Sequence, residues 1–179
     1  KKVAEDFLKF HRENGGVSRF EKFKLLHTEL LPDSNISNVD EDLYNFARYM
    51  NEGLRLCEVC DGALEVLEKI THKRKYVSSG GAEAEVQNIL QEKNLSSFFE
   101  SIFGSPKTKI DHVNILQESQ DIGRVLFIGD AKTDLEVSRY FGFDFLFVQK
   151  SLILEQVRFP ESRNTTEIQL IDFQLPLYT

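Results

Sequence analysis

The chain has 179 residues, a formal net charge of −7 and a hydrophobic fraction of 41%, with 15 Phe residues. This length suits one domain, or a core domain with a small inserted one, and the apolar content excludes a disordered chain. The acidic balance argues against binding to nucleic acid or to an anionic membrane, because both favour a basic surface. No apolar run reaches transmembrane length, and charges interrupt the opening segment KKVAEDFLKF. We therefore expect a soluble, cytoplasmic protein.

The first third of the chain predicts helices. Apolar residues recur at helical spacing in four segments: residues 3–10, 20–26, 43–54 and 64–70. Ser18, followed three residues later by Glu21, predicts a capping box at the start of the second helix. On that helix we interpret Arg19 and Lys22 as part of a solvated polar face, with ligand contact as the alternative.

Beyond residue 72 short β-rich runs alternate with helical patterns. The runs are KYVSS, SIFGS, VLFIG and FDFLFVQ. Strands that alternate with helices predict βαβ units, and hence an α/β fold with a parallel sheet covered on both faces. Near the end of the chain, EIQLIDF alternates in polarity and predicts a short edge strand.

Cys57 and Cys60 form a CxxC pair, which is typical of a redox site or of half a zinc site. No second pair exists, and the four His residues lack ligand spacing. We therefore favour two unlinked thiols in a connection between helices.

Polar residues follow the first two predicted strands. Ser79 and Gly80 come directly after the first strand, where glycine and the free N–H groups of a helix start would admit an anion. An ordinary Ser-Gly turn is the alternative. Lys107 and Lys109 follow the second strand, and either could neutralise a phosphate or could be a solvated loop lysine.

Two aspartates follow the third predicted strand, in the segment GDAKTD. Asp130 and Asp134 are four residues apart, so both carboxylates can face one point beyond the strand end. A few hard oxygen ligands suit Mg²⁺, whereas N-capping by either residue is the alternative. The strand favours the ligand interpretation, because open parallel sheets bind ligands beyond the carboxyl ends of their strands.

This ordered set of residues resembles the haloacid dehalogenase (HAD) superfamily of phosphatases and phosphomutases. The matching elements, in order, are Ser79, Lys109 or Lys107, and the pair Asp130 and Asp134. In addition, NGGVSRFEKF is similar to the cap start of bacterial members often associated with sugar or glycan metabolism. The resemblance implies a three-layer Rossmann-like core with a small all-α cap. The cap would comprise residues 12–58, and the core residues 1–11 and 59–179.

The resemblance also implies an activity, that of a Mg²⁺-dependent phosphatase with an aspartyl-phosphate intermediate. Ser79 and Gly80 would bind the phosphoryl group, and a lysine would neutralise its charge. We prefer Lys109 to Lys107 in that role, because it lies nearer the start of the following helix. Asp130 would hold the metal, and Asp134 would ligate it or orient the lysine. The partner would be a small phosphorylated metabolite, such as a sugar phosphate or a compound like phosphoglycolate.

One element of the superfamily signature is missing. No DxD motif occurs in residues 1–179, although the resemblance implies that its first Asp is the nucleophile and its second the general acid and base. The strand that carries this motif lies at the centre of the family's sheet, between the strands of Ser79 and Asp130. Its removal would leave buried ladder groups unpaired. We therefore expect an apolar strand ending in DxD before Lys1, and expect the 179 residues alone to be inactive.

Two further interpretations stay open. A phosphosugar mutase could use the same scaffold, and a degenerate member could bind phosphate or a protein without turnover. A dinucleotide-binding module is excluded, because SSGGAEAE lacks the GxGxxG pattern. The sequence makes no prediction of oligomeric state.

Overall fold

The computed structural model of this chain describes residues 2–14, 17–31, 38–119, 121–148 and 168–171, the last of these by backbone alone. The elements, in chain order, are α1 (Lys2–Glu13), α2 (Arg19–Leu25), α3 (Val39–Leu56), α4 (Ala63–Lys69), β1 (Arg74–Ala82), α5 (Glu83–Glu92), β2 (Ser101–Ser105), α6 (Lys109–Ser119), β3 (Val125–Gly129), α7 (Lys132–Phe141), β4 (Asp144–Phe147) and β5 (Ile168–Ile171). Within these residues, no helix combines the length and the apolar character that crossing a membrane requires.

Three helices, α1 to α3, pack together through aromatic rings. The ring of Phe23 in α2 lies 5.5 Å from that of Phe7 in α1 and 5.4 Å from that of Phe46 in α3. After α2 the chain continues into a π-helical segment, Leu26–Leu30, which closes with a 2.8 Å hydrogen bond from the Leu31 N–H to the Leu26 carbonyl. We call α2 and α3 the cap helices, because both lie within residues 12–58, which are predicted to form the cap, whereas α1 consists mostly of residues predicted to belong to the core.

The five strands form one parallel sheet in the order β2-β1-β5-β3-β4. Tyr76 of β1 pairs with Ser101 of β2, and Leu126 of β3 pairs with Asp144 of β4. All carboxyl ends therefore meet at one edge of the sheet, where the residues predicted for the site follow β1, β2 and β3. The predicted α/β class is confirmed.

Strand β5 takes the central place in this sheet. Ile168 pairs with Arg74 of β1 on one side and with Val125 of β3 on the other. The prediction that this segment is an edge strand is therefore wrong: its ladder groups are paired on both sides. It also occupies the central position that was predicted for a DxD strand upstream of Lys1. In the described sheet, β5 pairs there with β1 and with β3.

Apolar clusters cover both faces of the sheet, which makes the core three layers deep. Successive residues of β1 point to opposite faces, so Tyr76 joins the cluster under α6 and α7, while Val77 joins the cluster under α4 and α5. Phe127 and Ile128 of β3 divide in the same way, and each of these four side chains is at most 1% exposed. Burial on both faces fixes the register of the strands, and with it the relative heights of the residues that follow them.

Candidate active site

A buried ion pair joins the starts of α6 and α7. The Lys109 ammonium donates a short hydrogen bond to Oδ1 of Asp134, and the two side chains are 5% and 0% exposed. The other carboxylate oxygen, Oδ2, accepts the Ala131 backbone N–H at 2.9 Å. Asp134 thus closes the first turn of α7 and orients the lysine at once, so the N-capping alternative describes part of its role. Both of its oxygens have protein partners.

Gly129, the last residue of β3, makes room for that carboxylate. A Cβ at this position would lie 2.5 Å from Cγ of Asp134, closer than real Cβ atoms approach any heavy atom. The glycine of the GDAKTD segment is therefore required by the buried aspartate five residues later.

Asp130 is the other carboxylate of the pair predicted to bind metal, and it accepts a hydrogen bond from its own backbone N–H. Asp130 is exposed, but partial desolvation by the surrounding atoms raises the pKa of its carboxyl. The nearby charge of Asp134 raises this pKa further, and Lys109 opposes the shift. A carboxylate with too little compensating positive charge fits a cation ligand. Asp130 can supply one hard oxygen for Mg²⁺, but the described residues contain no group of three or more His, Cys, Asp or Glu side chains that could hold the ion by themselves.

Ser79 and Gly80 lie in an irregular stretch of β1 rather than at a helix start. The pairing of β1 with β2 shifts register between Ser78 and Ala82, and α5 begins only at Glu83. Ser79 is 6% exposed, and its hydroxyl accepts a 3.1 Å hydrogen bond from the Gly81 N–H. The Gly80 carbonyl accepts a 2.8 Å hydrogen bond from the Ser105 hydroxyl. This places a small hydroxyl and a glycine backbone at the carboxyl edge, three and four residues before α5 rather than at its N-terminus.

The two candidate lysines lie in different environments. Lys109 is the first residue of α6 and is buried, whereas Lys107 is exposed in the loop before that helix. Between them, Thr108 donates its N–H and its hydroxyl to the Asp111 carboxylate, at 2.8 and 2.7 Å. With this capping arrangement α6 starts at Lys109.

His112, for which the sequence predicts no role, connects α6 with β1 and β2. His112 is fully buried, with Nε2 3.1 Å from the Gly104 carbonyl and Nδ1 2.8 Å from the Ser78 hydroxyl. A carbonyl can only accept, so Nε2 carries the hydrogen and Nδ1 accepts from Ser78. Burial lowers the pKa of His112, which favours this neutral form. The side chain thereby ties α6, which carries Lys109, to the ends of β1 and β2.

The burial of His112 can be predicted from its spacing along α6. The buried face of α6 consists of Lys109, His112, Val113 and Leu116, which follow the i, i+3, i+4, i+7 pattern. Ile110 lies off this face and is 37% exposed, so apolar residues alone do not define the buried stripe of α6. A polar residue at a position of the buried helix face indicates a hydrogen-bond or ion-pair partner in the protein interior.

The cap helices contact the core beside the Ser79 segment. Arg19 of α2 is 8% exposed, and its guanidinium lies 2.5 Å from the carboxylate of Glu85 in α5 and 5.6 Å from the ring of Phe46. Lys22, one turn later, is 5% exposed, and burial lowers its pKa. The interpretation of both residues as a solvated face is therefore wrong. The expected capping box is also changed, because the Ser18 hydroxyl accepts the N–H of Phe20 at 3.3 Å.

A cavity of about 350 Å³ lies between α2 and the carboxyl edge of the sheet. Its lining combines the cap with the loops after β1 and β2 and with one face of α7: Val17, Ser18, Glu21, Ser79, Gly80, Ser105, Pro106, Lys107, Thr108, Lys109, Ile110, Thr133, Glu136, Val137 and Tyr140. The structure thus brings Ser79, Gly80 and both lysines to one cavity. Asp130 is not in this lining, but it lies close enough for the charges of Lys109 and Asp134 to shift its pKa. The volume suits a small metabolite.

Cys57 and Cys60 lie in the connection between α3 and α4, and both are free thiols. Cys57 is partly buried and Cys60 is exposed.

The order of these elements matches a known family. The family model described as "Haloacid dehalogenase-like hydrolase" matches residues 17–148, well over half of the chain. The chain belongs to this family. A comparison with curated proteins finds no significant match.

Solved structures share the fold of this HAD-like chain. A haloacid dehalogenase-like family hydrolase from Streptococcus pneumoniae is 16% identical, with a TM-score of 0.54 over 85% of this chain and 77% of its own. A candidate phosphatase from Clostridium difficile is 20% identical, with a TM-score of 0.53 over 82% and 72%. Protein tyrosine kinase A (PtkA) from Mycobacterium tuberculosis is 18% identical, with a TM-score of 0.57 over 87% and 73%. At these identities the likeness concerns the fold alone.

Proposed function

We infer that this HAD-like hydrolase is a phosphatase that acts on a small phosphate monoester with the help of Mg²⁺. The observation that carries the proposal is the buried pair of Lys109 and Asp134, whose lysine lines the cavity together with Ser79. A buried ion pair rarely adds stability over an apolar pair, so its placement at the ligand edge of a parallel sheet favours a functional role.

Each residue of the site has a role in this reaction. The Ser79 hydroxyl and the Gly80 backbone would hold the phosphoryl oxygens, and the Lys109 ammonium would neutralise the charge that develops on them. Asp134 keeps the Lys109 ammonium in one position through their hydrogen bond. His112 fixes the position of α6 relative to β1 through its hydrogen bond with Ser78. Lys107, exposed at the cavity rim, would attract the anionic substrate without contacting the reacting atoms.

Asp130 is the residue that would hold the metal ion. When bound, Mg²⁺ supplies positive charge that stabilises the phosphoryl oxygens and the attacking carboxylate. The raised pKa of Asp130 supports this assignment, because a nearby cation would offset the cost of keeping that carboxylate ionised.

The nucleophile belongs at the carboxyl end of the central strand, between Ser79 and Asp130. An aspartate there would attack phosphorus, release the alcohol and form an aspartyl phosphate that water then hydrolyses. β5 holds that central place in this structure, and Asp172 follows Ile171 in the sequence. Asp172 is therefore the candidate for the nucleophile.

The test compares two lysine variants in a phosphate-release assay on a panel of phosphate monoesters, with Mg²⁺ and with a chelator. Lys109→Met is expected to lower kcat by about 10²–10³-fold, as for the loss of one donor to a developing oxyanion. Lys107→Met, the matched control, should change kcat by less than threefold. Equal effects of the two variants, or phosphate release that persists at full rate with the chelator, would overturn the proposal. Phosphate binding without release would favour the non-catalytic alternative.

A further inference from the structure

Lys22 of α2 is a buried lysine without a counterion. The residue is 5% exposed, and its side chain forms no hydrogen bond and no ion pair within the described part of the chain. Burial lowers the pKa of its ammonium, and no carboxylate opposes that effect. Because a positive charge taken out of water without a negative partner costs stability, its presence here favours a role in binding.

The ammonium of Lys22 remains accessible to a small ligand. Among the residues that the structure describes, Nζ of Lys22 is not one of the fully enclosed polar atoms that lack a partner. Since this atom has no partner, it contacts solvent at its tip, while the methylene stem packs inside. Lys22 is not in the lining of the cavity that contains Ser79 and Lys109, so it belongs to a different part of the surface.

The His11 imidazole of α1 lies close to this ammonium. Burial lowers the pKa of His11, and the positive charges of Lys22 and Arg12 lower it further. The His11 ring also contacts Phe46 of α3, with the two ring centroids 6.4 Å apart and the planes at 62°. The packing of these helices thus brings together two groups that can carry positive charge, and no carboxylate raises the pKa of either one.

Two acids of the neighbouring elements already have partners. Glu85 of α5 lies 2.5 Å from the guanidinium of Arg19. Asp42 of α3 lies 2.8 Å from Nε2 of His27. Neither carboxylate compensates Lys22, and an anion from solution can supply the missing negative charge.

We propose that Lys22 and His11 form a second anion site, separate from the candidate active site, which takes a small oxyanion such as inorganic phosphate. The ammonium supplies a compact charge with three donors, and the imidazolium supplies an N–H. A small oxyanion carries several oxygens on one centre, so it can accept from both groups at once. The bound anion favours the protonated form of His11, and its binding therefore raises the pKa of that imidazole. The inference does not depend on the proposed function, because this site can bind phosphate whether or not the cavity releases it.

The experiment titrates the full chain with inorganic phosphate at constant ionic strength and follows the ring resonances of His11 by NMR, assigned with His11→Gln. In wild-type protein these resonances should shift saturably, and the pKa of His11 should rise as phosphate binds. Lys22→Met should weaken the affinity measured at His11 by about tenfold or more, the size of one charge-assisted contact. Lys24→Met is the matched control, because it removes an exposed lysine from the same helix. Its affinity should stay within twofold of wild type.

Two measurements without phosphate check the position of the ammonium. Lys22→Met removes a positive charge beside His11 and should raise the pKa of that imidazole, whereas Lys24→Met should leave it unchanged. The same change replaces an unpaired buried charge by an apolar side chain of similar length, so it should raise the thermal unfolding midpoint. Lys22→Gln takes its place if Lys22→Met does not fold.

The absence of a saturable shift of His11 in wild-type protein would overturn the inference, as would equal losses of affinity in Lys22→Met and Lys24→Met. Shifts confined to His112, which lies on the helix of Lys109, would place the phosphate in the cavity alone and would also overturn it.

Discussion

Lys109 and Asp134 form a buried ion pair between the first turns of α6 and α7, and the same aspartate accepts the Ala131 N–H that opens α7. One carboxylate therefore fixes both the helix after the GDAKTD segment and the lysine that faces the cavity. The geometry explains why the second aspartate of the segment contacts a lysine. Under the proposed function, the first aspartate, Asp130, would hold the cation.

Removal of one partner of this pair is expected to cost more than removal of both charges. Lys109→Met leaves a buried carboxylate without its cation, which destabilises the fold by about 3–5 kcal/mol. The double variant Lys109→Met with Asp134→Asn keeps an acceptor for Ala131 and should recover at least half of that loss. Urea unfolding at pH 7 measures both values. Strictly additive losses would contradict the pairing.

Gly129→Ala is expected to disturb the site through its new Cβ. The methyl group would lie 2.5 Å from Cγ of Asp134, so the fold should lose about 1–3 kcal/mol, the usual cost of overpacking, and the Lys109 contact should loosen. Gly142→Ala is the control: it strains a positive φ of 69° but meets no atom within 4 Å. Both variants should lose stability, but only Gly129→Ala should also lose activity. A fully active Gly129→Ala protein would be the contrary result.

Asp130→Asn is expected to raise stability while it abolishes the response to metal. The pKa of Asp130 is raised in the folded chain, so its ionisation costs stability as pH rises from 3.8 through the folded-state value. At pH 7 the amide avoids that cost. Mg²⁺ at a hundred times its Kd should stabilise the wild type by about 2.7 kcal/mol and the variant by far less. Thermal unfolding with and without Mg²⁺ checks this, and equal Mg²⁺ stabilisation would place the metal elsewhere.

His112 should make stability depend on pH below neutrality. Because burial lowers the pKa of His112, the unfolded chain binds this proton more readily, and stability is lost as pH falls from 6.5 towards the folded-state pKa. His112→Gln should cost about 1–3 kcal/mol at pH 8, since Ser78 and Gly104 lose their partner, and should weaken this dependence. His72→Gln, at an exposed position, is the control. A pH profile unchanged in His112→Gln would refute the assignment.

The sequence predicted the alternation of strands and helices well, because each strand is a short apolar run and each helix carries apolar residues at helical spacing. KYVSS, SIFGS and VLFIG lie within or coincide with β1, β2 and β3. The place of β5 was predicted wrongly. Periodicity shows that a segment can pair, but only the packing of the whole sheet decides whether it pairs at an edge or at the centre.

The site was predicted in part for a similar reason. Lys109 and Asp134 were singled out, but their contact depends on the relative heights of α6 and α7, which no local pattern contains. Arg19 and Lys22 were assigned to solvent because charged side chains are rarely buried, and the tertiary partner Glu85 overrides that tendency for Arg19. In each case a polar residue sits at a core position of its helix.

The most direct test of the proposed mechanism is chemical trapping of the aspartyl phosphate during turnover. Acid quenching, reduction with borohydride and peptide mapping convert the phosphorylated aspartate to homoserine and locate it in the chain. We expect homoserine at Asp172 and its loss in the Asp172→Asn variant. Phosphate release with no homoserine, or with homoserine at Asp130, would contradict the mechanism.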